Sequence, residues 1–194
     1  MEEKDIQAEL SSIRNLMERS TRFISLSGLA GVLAGIYALA GTYIAYRIME
    51  GLYMDVFNPL LMLAIAVLTL SVLTGIGMTV RQARKMKEKV WNPISRKLIT
   101  NMALPLLTGG LFLLILLSKE QYDLIAASTL IFYGLSLVAA GQFTFSDVRW
   151  LGLLEIALGL MAAILPEYSL WLWGFGFGVL HILYGAIMHF KYKQ

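Results

Sequence analysis

Glu155 and His181 are the residues with the most scope for chemistry, because each interrupts a long apolar run. An ionisable side chain inside a membrane is expensive and marks either a partner or a function. Glu155 lies in the run 151–165 and His181 in the run 170–190, with a tight proline turn between them. The two runs are therefore expected as antiparallel neighbours, with both side chains in the cytoplasmic half of the bilayer. Gly152 and Gly159 flank Glu155 at intervals of three and four residues, and Gly178 and Gly185 flank His181 in the same way. Small residues let helix backbones approach closely. This spacing predicts that Glu155 and His181 face each other or share one pocket. Two chemistries stay open: a hydrogen-bonded or neutral lock between helices, or a proton-binding site reached by water.

Other polar residues interrupt the apolar pattern. Asn101 joins the pair as a third candidate binding residue, because Pro105 displaces the carbonyl four residues earlier. With Thr108, Gly109 and Gly110 it predicts a kink, a hinge or a cavity lining. Gln142, Thr144, Ser146, Asp147 and Arg149 make a small polar mouth, in which Asp147 and Arg149 are expected to pair. Arg81, Arg84, Lys85, Lys87 and Lys89 form a basic cluster suited to anionic lipid headgroups. The short loop against an acidic surface makes nucleic acid a poor partner.

Catalytic signatures are missing: no zinc-protease HExxH, nucleophile elbow, phosphate loop or dinucleotide fingerprint occurs. His181 and His189 are eight residues apart, about 12 Å along a helix, too far to ligate one metal. The chain has no cysteine, which excludes disulfides and thiolate chemistry. The reading is therefore a protein that is not an enzyme and carries no cofactor or metal.

The elements that must position these residues are six apolar stretches: 23–46, 60–80, 98–118, 124–141, 151–165 and 170–190. Most approach the roughly 20 residues that cross a bilayer core. A hydrophobic share of 58% and a charged share of 15% depart from a soluble domain in the same direction. The predicted fold is an all-α membrane protein, a six-helix transmembrane bundle of three hairpins. It divides into a cytoplasmic amphipathic helix at 1–22, the transmembrane domain at 23–190 and a cytoplasmic tail at 191–194. In the first segment Ile6, Leu10, Ile13 and Met17 share one helical face.

Charge sets the orientation. With both termini in the cytoplasm, fourteen of the 16 Lys and Arg residues fall inside, and only Arg47 and Lys119 fall outside. A faint internal repeat aligns Gly28, Gly31, Gly35 and Ala38 with Gly152, Glu155, Gly159 and Ala162.

The segments WNPISRKL, PLLTGGLFLLILL, IFYGLSLVAAGQFTF and GFGFGVLHILYGAIMHFKY resemble a family of uncharacterised six-span integral membrane proteins of bacteria. The likeness covers spans two to six and carries no activity with it. The hairpin LGLLEIALGLMAAILPEYSLWLWGFGFGVLHILYGAI also resembles the repeat of the bacterial acid-resistance short-repeat membrane proteins, which implies a stress-related membrane role. The expectation is a multi-pass protein of the bacterial inner membrane, non-catalytic, acting through partner helices or homo-oligomers. A small proton-linked transporter or channel using Glu155 and His181 is the alternative.

Overall fold

The computed structural model describes residues 27–51, 56–87 and 89–191. The amphipathic segment 1–22 and the tail beyond 191 lie outside the described residues. Among the described residues all regular structure is helical. The helices are α1 (Gly28–Glu50), α2 (Phe57–Lys85), α3 (Pro93–Ser118), α4 (Ile125–Ala140) and α5 (Ser146–Ile164). A final rod joins α6 (Ser169–Gly174), a π-helical segment (Phe175–Leu180) and α7 (His181–Lys191). Five of the six rods are long and apolar enough to cross a membrane. The remaining one, α5, is 19 residues long and carries Asp147, Arg149 and Glu155.

Local chemistry sets the helix ends. The Asn92 side chain accepts hydrogen bonds from the amides of Ile94 and Ser95 at 2.9 and 2.8 Å. Ser95 Oγ accepts from the Asn92 amide at 2.9 Å, which completes a capping box with Pro93 at the first turn. At the other end of α3, Glu120 takes a left-handed conformation (φ 56°). The Gln121 amide then reaches the Leu116 carbonyl at 2.9 Å, closing the helix and turning the chain.

Three expected boundaries move by five residues each. The helix α2 runs on to Lys85 instead of stopping near Val80, and α3 begins at Pro93 instead of Leu98. The helix α5 begins at Ser146, so Asp147 and Arg149 stand in its first turn and not in a loop. Arginine and lysine are good helix formers, so a helix need not end where its apolar stretch ends. Pro105 lies within α3, which continues through it as one helix.

In space the order is α2, α1, the final rod, α5, α4, α3. The pair α4–α5 has the most extensive contact, followed by α3–α4 and α1–α7, while α2 leans principally on α1. Gly41 of α1 abuts Val67 of α2, and Tyr37 meets Thr74 one turn away, so these two helices run antiparallel.

Candidate functional site

Glycines set the distances between the four inner helices. A Cβ at Gly134 in α4 would lie 2.6 Å from the Gly152 carbonyl oxygen, and one at Gly152 would lie 2.6 Å from that of Gly134. A Cβ at Gly159 would meet the Ala127 oxygen at 2.9 Å. Between α1 and the final rod, Gly35 meets the Gly178 oxygen at 2.6 Å and Gly185 meets that of Gly28 at 2.6 Å. The glycine stripes therefore do not face each other, as their spacing had implied. Those beside Glu155 pack on α4, and those beside His181 pack on α1. The repeat positions Gly28 and Gly35 serve the second seam, Gly152 and Gly159 the first.

A different glycine lets the polar residues meet. Gly176 lies in the π-helical turn of the final rod, and a Cβ there would fall 2.5 Å from Glu155 Oε2. The missing side chain is the space the carboxyl group occupies. Glu155 Oε1 lies 3.4 Å from His181 Nδ1, and Glu155 is 0% exposed. The same Nδ1 lies 3.0 Å from the Gly176 carbonyl oxygen, five residues back, where the wider turn brings it within reach. On the other edge of the ring, His181 Nε2 lies 2.8 Å from the Tyr133 hydroxyl of α4. Phe177 stacks on the imidazole, its ring centroid 5.8 Å away and inclined by 17°. π-turns are rare and concentrate at functional positions.

This frame fixes the tautomer. A carbonyl oxygen only accepts, so Nδ1 carries a hydrogen. In the neutral imidazole, Nε2 then accepts from the Tyr133 hydroxyl; in the imidazolium it donates to that oxygen. Tyr133 serves both forms without moving. Glu155 is less well provided for: neither of its oxygens, nor Ser136 Oγ, has a hydrogen-bond partner among the described residues. A charge buried without donors is costly unless paired. Among the described residues, His181 is the one titratable side chain in ion-pair range of it.

Apolar layers close both ends of the cluster. Towards the start of α5, Leu98, Leu137, Phe145, Val148, Leu151 and Leu180 pack together. Towards its end, Ala127, Leu130 and Ala162 pack with Leu158, Trp173 and Phe177. Trp173 Nε1 donates to Thr129 Oγ1 at 3.1 Å, a second polar tie between the final rod and α4.

The remaining candidates stand apart. Asn101 is exposed on α3, which packs on α4, and its side-chain amide donates to the Lys97 carbonyl at 2.8 Å. It does not reach the Glu155–His181 pair. Asp147, expected to pair with Arg149, pairs with Lys191 at 2.9 and 3.1 Å. Arg81, Arg84, Lys85, Lys87 and Lys89 are all exposed. Among the described residues no group of three His, Asp or Glu side chains is arranged to hold a metal. Gly176 and Tyr133 were not foreseen. A glycine five residues from a histidine is off the α-helical period, and an apolar-face tyrosine carries no signal of its partner. Comparison with protein-family models, with curated proteins and with solved structures gave no match.

Proposed function

We propose that this chain is a non-catalytic, six-span protein of the bacterial inner membrane, built of three hairpins with both termini in the cytoplasm. In this reading α5 is the sixth span. Two of its three charges, Asp147 and Arg149, lie in its first turn at the membrane edge. The third, Glu155, is matched by His181. The carrying observation is the enclosure of that pair: Glu155 has no exposed surface and sits between two apolar layers. Such a cluster ties α4, α5 and the final rod into one body, leaving the outer helices to meet lipid, partner helices or further copies.

The experiment compares Glu155→Gln with the parent chain in liposomes, reading both thermal unfolding and proton flux. The expected result is a lower unfolding temperature with no change in flux. A flux in the parent chain that the substitution abolishes would overturn the structural reading. It would favour a proton-linked transporter, for which the two carboxyl oxygens without donors are the specific support.

A further inference from the structure

The helix α2 continues five residues beyond its expected apolar end, and this places three of the five basic-cluster residues on one surface. Arg81, Arg84 and Lys85 stand at the i, i+3 and i+4 positions of the same helix, where side chains are neighbours. With Gly77 and Val80 they line an open groove of about 550 Å³. Lys87 lies beyond the helix in a left-handed conformation (φ 54°), and Lys89 follows in the loop; neither lines the groove. Gly77 leaves the apolar end of this surface bare and open, since a Cβ there would meet nothing within 4 Å. The strip leading up the helix from Gly77 is apolar and uncovered, with Leu73 62% and Leu70 52% exposed.

Cations in the last turn of a helix also serve its C-terminal carbonyls. That accounts for their charge but not for the bare glycine above them. Neither ion pair among the described residues involves the three cations. Guanidinium groups grip phosphate oxygens in pairs, and an ammonium adds a point charge. An apolar track ending in three such groups at the level of a membrane surface matches one amphiphile: a phosphate above a hydrocarbon chain.

We infer that the groove binds one anionic phospholipid, its phosphate on Arg81, Arg84 and Lys85 and an acyl chain along Gly77, Leu73 and Leu70. The inference rests on the membrane-spanning reading of α2. It differs from general attraction to an acidic bilayer in naming three of the cations and a glycine.

The test uses the full chain in detergent, with phosphatidylglycerol or phosphatidylcholine added and bound lipid counted by native mass spectrometry. The parent chain should retain one phosphatidylglycerol in preference to phosphatidylcholine. R81Q/R84Q/K85Q should weaken retention roughly 100-fold, from about fivefold per cation. K87Q/K89Q should leave it unchanged. G77L keeps every charge, and with it the orientation signal, yet should weaken retention by filling the groove. Equal losses from both charge-removal variants, or retention in G77L undiminished, would overturn the site and leave only surface attraction. Displacement of the lipid by inorganic phosphate at equal concentration would overturn it too, since the acyl chain would then contribute nothing. Extraction of the parent chain from membranes by carbonate would instead sink the membrane-spanning reading itself.

Discussion

The inner four rods use glycine for close approach, whereas three of the four glycines on the outer two face open space. Gly28, Gly35, Gly134, Gly152, Gly159, Gly178 and Gly185 each lie where a Cβ would strike a neighbouring helix. Gly75 and Gly77 of α2 and Gly110 of α3 face open space. Burial follows the same division: 0% of the apolar window of α2 and 11% of that of α3 is fully buried, against a third or more of those of α1, the α4 span and the final rod. Lipid tails are as apolar as leucine, so burying apolar surface gives little drive for helices to associate in a bilayer. Close backbone approach and interhelical hydrogen bonds must do it instead. The inner rods have both devices. The outer two each have one principal neighbour, which under the proposed function leaves their remaining surface for lipid.

The largest expected effect comes from attacking the seam where backbones touch. Gly152→Leu puts a branched side chain where even a Cβ falls 2.6 Å from the Gly134 oxygen and 2.8 Å from the Val138 amide nitrogen. Backbone atoms cannot yield as a flexible side chain can. The expected cost is about 3 kcal/mol or more, seen as loss of the monodisperse, cooperatively unfolding protein. If Gly152→Leu unfolds at the parent temperature, the division between inner and outer rods fails.

A smaller effect tests the hydrogen bonds of the inner body. Tyr133→Phe removes the hydroxyl that meets His181 Nε2 at 2.8 Å and leaves the tilted ring contact in place. The ring nitrogen is then buried without its partner, at a cost of about 1–3 kcal/mol. The unfolding temperature should fall, and the phenylalanine variant should keep the same oligomeric state as the parent. An unchanged temperature would mean that the cluster does not hold α4 to the final rod.

Much of this arrangement is legible in the sequence, and the gaps have physical causes. Apolar runs located five of the rods to within a few residues, because length and composition decide what can cross a bilayer. The ends were less legible: charged helix formers carry α2 to Lys85, and α5 starts at Ser146 with Asp147 in its first turn, where an acid suits the helix dipole. The rarity of ionisable groups in apolar runs was enough to bring Glu155 and His181 together. The reason given for their meeting was wrong, since small-residue spacing says that a helix packs closely but not against which neighbour. Gly176 and Tyr133 escaped because a π-turn shifts the register by one residue, and no α-helical period reports that shift. Asn101 was singled out for a carbonyl that Pro105 would free, yet the side chain itself caps a carbonyl of its own helix.

The smallest effect is the sharpest test, because it sets the two uses of glycine side by side. Gly109 and Gly110 are consecutive on α3 and so point about 100° apart. A Cβ at Gly109 would lie 2.5 Å from Phe132 Cβ and 2.6 Å from its Cγ, atoms held close to the α4 backbone. One at Gly110 would meet nothing within 4 Å. Gly109→Ala should therefore lower the unfolding temperature by pushing α3 off α4. Gly110→Ala should raise it slightly, since alanine in a helix interior is favoured over glycine by about 1 kcal/mol. Opposite signs from adjacent residues require that one face of α3 is sealed against protein and the next is free. A loss at Gly110 as large as that at Gly109 would mean that this second face also packs, and that α3 belongs with the inner rods.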